Sequence, residues 1–306
     1  MAPIVSLEGK RIKLTNLDKP LYPHSAFTKG QVIEYYRNMA DYILPHLKNR
    51  PVTLKRFPDG VDGQSFYEKR CPSYRPDWLK TVSQGKTQKH YCMLNDLPSL
   101  IWVANLASIE IHASLHTADH LDRPAAVVFD LDPGAPAALL DCLEVALIMR
   151  DMLAHAGVTC FPKTSGGKGL HFYLPLNTEA TYEQTRHFAR TIARVMEKHY
   201  PDRVTGKMAR HLRTGKVFID WSQNSRHKTT VSVYSLRARQ SPAVSMPVTW
   251  RQVETAVRKK DASELVFGPG LALEQVEQQG DAFAKVLTLE QKLPVARKQA
   301  SAHISP

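Results

Sequence analysis

Asp130 and Asp132 stand two residues apart in the run Ala126-Val127-Val128-Phe129-Asp130-Leu131-Asp132-Pro133. A strand alternates its faces with period two, so both carboxylates point one way while Phe129 and Leu131 point the other. Carboxylates side by side repel each other, and a divalent cation between them removes the repulsion. The pair is therefore a candidate metal site. The Pro133-Gly134 that follows leaves a second reading open, in which Asp132 is a turn former.

Ser165-Gly166-Gly167-Lys168-Gly169-Leu170-His171 is the second candidate. Its glycines let the backbone approach a ligand closely and aim several N–H groups at it. Lys168 adds charge, and Ser165 and His171 add donors, so the stretch suits a phosphate. It is not a G-x-x-x-x-G-K-[ST] loop, because the spacing differs and it opens a strand. Asp220 closes the apolar strand Lys216–Trp221, and an acid in that position calls for a partner or a metal. Three acids beside an anion-binding loop suit nucleotide transfer from a triphosphate. A nuclease would need the acids but not the cradle.

The elements that position these groups read as a strand over 126–132, a helix over 136–155 capped by Gly157, and strands over 158–164 and 170–176. A helix over 181–199 and strands over 216–221 and 231–239 follow, with the basic segment Ser222–Thr230 between those two strands. Upstream, residues 4–14 alternate as one or two strands around Gly9. Thr28 and Gln31 form a capping-box pattern before a helix with the apolar stripe Val32, Ile33, Tyr36, Met39, Ile43. Pro45 is expected to end it. Lys29 falls in the first turn, where a cation is slightly unfavourable for the helix yet suited to holding a phosphate.

Strands over 51–58 and 64–70 carry Lys55 and Arg56, then Phe66, Tyr67, Lys69 and Arg70. Cations interleaved with rings suit frayed or single-stranded nucleic acid. A core-facing Phe with a solvated basic face is the other reading. His112, His116 and His120 recur at fourfold spacing. A metal row on a helix and a strand ending at His112 are both open, the alternation of Ile109 and Ile111 with Glu110 and His112 favouring the strand. The tail, 240–306, reads as Pro-rich turns with one or two polar helices, frayed or linker-like at the end.

The chain has 306 residues and a formal net charge of +12. Residues 1–91 carry 16 Lys and Arg against 8 Asp and Glu, so two thirds of the excess lies in the first third. A basic lobe joined to a balanced one suggests a clamp for a polyanion, nucleic acid foremost, unless the charge only solvates the surface. No apolar run is long enough to span a membrane and the start has no secretory pattern, which points to the cytoplasm. Cys71, Cys92, Cys142 and Cys160 lack paired metal-ligand spacing and are expected to be reduced structural thiols.

In order, FDLDP, KTSGGKGLHFYLPL and FIDWSQNSRHKTTVSVYSLRAR resemble the primase–polymerase superfamily, in detail the polymerase domain of the bacterial end-joining ligase D. TNLDKPLYP, FYEKR and NLASIEIH are similar to that subfamily as well. The resemblance implies an α/β (α+β) fold with an RNA-recognition-like catalytic sheet. One domain is expected over 1–290, with a basic DNA-end-binding lobe to about 120, a catalytic lobe beyond it, and 291–306 as tail or linker. It implies that Asp130, Asp132 and Asp220 hold two divalent ions, manganese preferred over magnesium. His112, Ser165, Lys168, His171 and Arg237 would grip the incoming NTP or dNTP. Lys19 and Lys29 would hold the 5′-phosphate of the downstream strand, Lys55 and Arg56 the DNA backbone. Phe66 and Tyr67 match the aromatic pair near the templating base, and which ring stacks is open.

The implied activity is nucleotide addition to primer ends at breaks and short gaps, beside a ligase domain and the end-binding protein Ku, in the bacterial nucleoid. No K-x-D-G lysine motif occurs, so sealing is expected of another part of a longer protein or of a partner. Two alternatives remain: a primase that starts chains de novo, which needs no primer, and an end-binding module without catalysis, which has no use for clustered acids.

Overall fold

The computed structural model describes residues 2–85 and 88–294. β1 (Ile4–Leu7) and β2 (Lys10–Lys13) form a hairpin about Gly9, whose φ of +74° a glycine reaches without strain. β3 (Pro20–Tyr22) and β4 (Phe27–Thr28) pair next. The capping box is present as expected: Thr28 Oγ1 accepts from the Gln31 N–H at 3.3 Å, and Gln31 Oε1 accepts from the Thr28 N–H at 2.8 Å. The helix it starts is shorter than expected. α1 (Lys29–Asn38) gives way at Met39 to α2 (Ala40–Leu47), which contains Pro45 instead of stopping there. Proline costs one N–H bond at that point, and the burial of Ile43 and Leu47 holds the last turn.

β5 (Pro51–Arg56) is the axis of the first large sheet. β6 (Phe66–Glu68) and β8 (Lys89–Met93) share one of its edges, and β8 also pairs with β7 (Thr81–Gln84). After α3 (Leu97–Asn105), β9 (Ser108–Ala113) takes the other edge. His112 is thus on a strand, and the fourfold histidine row does not form. His116 instead contacts the Tyr182 hydroxyl through Nδ1 at 2.7 Å. Reduced thiols are not what the structure shows at two of the cysteines. The Cys71 N–H donates to the His90 carbonyl at 2.7 Å, which lays Cys71 beside β8 and its disulfide partner Cys92. Cys142 and Cys160 are free and buried.

The second sheet has the order β11-β12-β10-β14-β13. It is built from β10 (Ala126–Pro133), α4 (Leu139–His155), β11 (Phe161–Thr164), β12 (Leu170–Pro175), α5 (Tyr182–His199), β13 (Val204–Thr205) and β14 (Val217–Asp220). β10 is central and antiparallel to both β12 and β14. α4 and α5 pack against β10. Phe129 is fully buried and stacks on Phe172, ring centroids 4.9 Å apart. By alternation the acids take the opposite face.

The expected strand over 231–239 is broken. β15 (Thr230–Val231) crosses back to pair with β9, Tyr234 turns at φ +63°, and β16 (Leu236–Arg237) pairs with β17 (Ala243–Val244). Tyr234 is held there by its hydroxyl, which donates to Asp281 Oδ1 at 2.6 Å, while His46 Nε2 lies 2.8 Å from the other oxygen. The tail carries α6 (Trp250–Lys259), α7 (Pro269–Gln279) and α8 (Lys285–Thr288), more helix than expected. Gln291 still bonds to Leu176, Thr159 and Pro175. The rest of the expected tail, 295–306, lies outside the described residues. Among the described residues no helix is long and apolar enough to cross a membrane. The Tyr173 hydroxyl on β12 meets Thr230 Oγ1 on β15 at 2.9 Å and joins the two sheets, while α1 and β3 are tied in by tyrosines: Tyr35 donates to the Tyr234 carbonyl (2.8 Å), Tyr36 to that of Ile109 (2.6 Å) and Tyr22 to that of Arg237 (3.0 Å).

Candidate active site

Asp130 on β10 lies directly across from Asp220 on β14 and from His171 on β12. Facing residues of paired antiparallel strands share a side, so Asp220, Asp130 and His171 form a row, with Asp132 two positions along on the same face. Lys163 on β11 pairs with His171 and extends the row. Asp130 Oδ1 is 3.0 Å from His171 Nε2 yet has no hydrogen-bond partner. The Gln223 Nε2 donates to Asp130 Oδ2 at 3.2 Å and to Asp220 Oδ2 at 3.0 Å, cross-linking the two acids. Ser222 donates to Asp220 Oδ1 through N–H (2.9 Å) and Oγ (2.5 Å), and the Lys228 ammonium lies 3.7 Å from Oδ2.

These groups set the electrostatics. Burial raises the carboxyl of Asp130, but His171, Lys163 and Arg237 outweigh it and leave it below the usual carboxylate range. Asp132 goes the other way, to about 7, through burial among the cleft walls and then the charges of Asp130 and Asp220. The raised carboxyl of Asp132 and the orphaned Oδ1 of Asp130 offer hard oxygen donors, which fit a divalent cation. Among the described residues no three His, Cys, Asp or Glu side chains close on one point as a preformed cage.

The glycine loop packs against the same strand. Ser165 Oγ accepts from the N–H groups of Gly167 (3.1 Å) and Gly169 (3.2 Å), and the Ser165 N–H donates to the Gly169 carbonyl at 3.0 Å. Gly166 has φ +64°, and a Cβ there would meet Arg237 Cγ at 2.6 Å. Arg237 reaches over the loop, its guanidinium donating to the Ser165 carbonyl at 3.0 Å. A cleft of about 640 Å³ opens between the sheets, lined by Asp130, Asp132, Ser165, Lys168, His171, Arg237 and, from the first sheet, His112 and Tyr67. The structure thus brings seven of the eight predicted metal and nucleotide residues to one cleft and sets the eighth, Asp220, across from Asp130 just outside the lining. His112 differs in chemistry from the expectation of a phosphate donor. Its Nε2 is 2.9 Å from Glu110, a carboxylate held down to about 2: burial raises it, but His112, Arg237 and Lys55 prevail. That oxygen can only accept, so Nε2 carries the proton, and Nδ1 donates only from a charged ring.

Sequence reasoning missed Gln223, Lys228, Arg213, Arg239 and the fully buried Lys163, whose Nζ donates to Ser245 Oγ at 2.6 Å. The one usable signal was Lys163 itself, a cation inside an apolar strand.

Toward the basic lobe, Lys29 is 5% exposed, its Nζ donating to the Thr15 carbonyl (2.6 Å) and Oγ1 (3.0 Å). Burial, then the charges of Lys19 and Arg56, push its amine down to about 8. Lys19 pairs with Asp59 at 2.9 Å. Phe66 and Tyr67 are exposed, 43% and 57%, which rules out the core-facing reading. Lys55 and Arg56 turn to protein partners: Lys55 stands 4.0 Å from Glu110 and 5.4 Å over the Tyr67 ring, and Arg56 pairs with Glu68 at 2.9 Å while its guanidinium covers Phe66 at 5.3 Å. A strand's faces alternate, but sequence alone does not say which partners lie across from it.

A family model described as LigD, primase-polymerase domain, matches residues 28–283. The multifunctional non-homologous end joining DNA repair protein LigD of Mycobacterium tuberculosis H37Rv is 37% identical over 302 residues, covering 95% of this chain and 38% of that protein. The bifunctional non-homologous end joining protein LigD of Bacillus subtilis is 32% identical over 274 residues, 89% of this chain and 44% of that one. The chain therefore spans about two fifths of the length of the curated relatives it matches. Among solved structures, the polymerase domain of M. tuberculosis ligase D in complex with DNA superposes with a TM-score of 0.83 at 34% identity, covering 92% of this chain and 99% of that one. This chain belongs to the LigD primase-polymerase domain family.

Proposed function

We propose that the chain catalyses metal-dependent, template-directed addition of nucleotides to primer 3′ ends at DNA breaks and short gaps, as part of non-homologous end joining. The observation that carries this is the row Asp220–Asp130–His171, whose Asp130 and His171 open into the same cleft as Ser165, Gly167 and Lys168 of the glycine loop. Asp130, Asp132 and Asp220 would hold two divalent ions, manganese in preference to magnesium, which when bound supply Lewis acidity toward the 3′-hydroxyl and the departing pyrophosphate. Lys168 and Arg237 neutralise the triphosphate of an NTP or dNTP, and the Ser165 hydroxyl, held by the Gly167 and Gly169 N–H groups, donates to it. His171 fixes the Asp130 carboxylate, and His112 closes the pocket from the first sheet. The exposed rings of Phe66 and Tyr67 stack on the templating base. Residues to about 290 act as one catalytic unit with the basic lobe as its DNA-end grip. A ligase domain in a longer protein or in trans, and Ku, are the partners this reading supplies.

The test is single-nucleotide extension of a gapped duplex, with a no-primer reaction beside it. Extension only with a primer supports this reading, and robust dinucleotide synthesis without one points to a primase instead. Lys29→Ala is expected to cut the preference for a 5′-phosphorylated gap by roughly 10-fold or more, the weight of a hydrogen bond to a charged group. The wild-type preference depends on pH. The lysine must be protonated to hold phosphate, and its free amine titrates at about 8. The preference is therefore full below about pH 7 and fades as pH rises through about 8 and beyond, while Lys29→Ala stays flat. Competition binding of phosphorylated and unphosphorylated gaps across that range measures both. An unchanged preference in Lys29→Ala would contradict the assignment.

A further inference from the structure

Glu110 lies on β9 two residues before His112 and is 2% exposed, behind the cleft instead of lining it. A buried carboxylate persists only when its partners repay the loss of water. Its partners come from both sides of the molecule. Oε2 faces His112 Nε2 at 2.9 Å. Oε1 accepts from the Ala238 N–H at 3.1 Å and has Arg237 Nε at 3.3 Å and Lys55 Nζ at 4.0 Å. Lys55 in turn stands over the exposed Tyr67 ring, and Arg237 continues to the Ser165 carbonyl. The path Tyr67–Lys55–Glu110–Arg237–Ser165 is continuous, and Glu110 is its only anion.

We infer that Glu110 is a positioning residue that fixes His112, which closes the pocket, and the nucleotide-gripping Arg237 in register with Lys55 and Tyr67 on the DNA side. The inference rests on the polymerase reading above. Glu110 touches neither substrate. Without its charge Lys55 and Arg237 repel each other across the gap it fills, and His112 loses the acceptor that sets its tautomer. The incoming base and the templating base then meet with a looser offset, so the cost falls on nucleotide binding and on discrimination.

The experiment is steady-state extension of a one-nucleotide gap by wild type, Glu110→Gln, Glu110→Asp and Lys55→Met, with matched and mismatched nucleotides, beside urea unfolding of each protein. Glu110→Gln keeps the shape and is expected to raise the KM for the matched nucleotide roughly 10-fold, the range for a lost charge-assisted bond, with kcat within about threefold. The matched-to-mismatched ratio falls severalfold, and Glu110→Asp, which keeps the charge, recovers most of both. Lys55→Met raises the nucleotide KM although Lys55 lies on the template side, which keeps the inference testable should Glu110→Gln fail to fold. KM and discrimination at wild-type values in either Glu110→Gln or Lys55→Met would overturn it. A wild type that extends nothing would instead overturn the polymerase reading.

Discussion

Asp130→Asn is expected to lower primer extension by roughly 10³-fold or more, about 4 kcal/mol of transition-state stabilisation. Asn keeps the volume of the side chain, so Val128, Phe129 and Leu131 stay packed in β10 and the Asp130–Asp220 register survives. What it removes is a negative oxygen from the centre of the row, the one orphaned Oδ1 included. Stability should change little. The variant gives up the 3.0 Å approach of His171 but also relieves the Asp130 charge that, after burial, helps to raise the Asp132 carboxyl to about 7. Single-turnover extension and urea unfolding measure the two effects separately, and direct titration with manganese should show weakened binding. A variant within tenfold of the wild-type rate would mean that Asp130 is structural.

Gly169→Ala is the second large expected effect, this one outside the acids. A Cβ there would stand 2.1 Å from the Leu131 carbonyl oxygen, a backbone atom that cannot rotate away. The strain falls on the β10–β12 pairing at Leu131–Leu170, next to Asp130 and His171. Overpacking of this kind costs about 3 kcal/mol, and the same displacement pulls the loop from the acids, so extension should drop by about 100-fold as well. Gly157→Ala is the comparison. Its φ is +76° but nothing lies within 4 Å of the new Cβ, so it should cost only about 1 kcal/mol and leave extension intact. Equal behaviour of the two variants in unfolding and extension assays would show that loop contact with Leu131 does not matter.

What could be read from the sequence was mostly local. The Thr28–Gln31 box depends on residues three apart, and the shared face of Asp130 and Asp132 follows from strand alternation alone. The fold class and the family came from the order of three motifs. Pairings across long separations were beyond pattern reading. Nothing in the sequence says that Asp220 lies across from Asp130, that Cys71 meets Cys92, or that Glu110 gathers cations from two sheets. β7 and β8 were missed because Thr81–Gln84 and Lys89–Met93 are too polar to show as strands. The broken strand at Tyr234 shows the opposite failure. Val231, Val233 and Tyr234 are strand formers by propensity, but the bond to Asp281 holds Tyr234 in a left-handed turn. Tertiary contact overrides local propensity there.

The measurement that bears most directly on the acid row as a polymerase centre is extension of a 5′-phosphorylated gapped duplex in which the single templating base is varied over all four. The wild-type chain should add the complementary nucleotide in each case, with manganese or magnesium present, and stop when the cation is chelated. No extension, addition indifferent to the templating base, or addition that continues in chelator would contradict it.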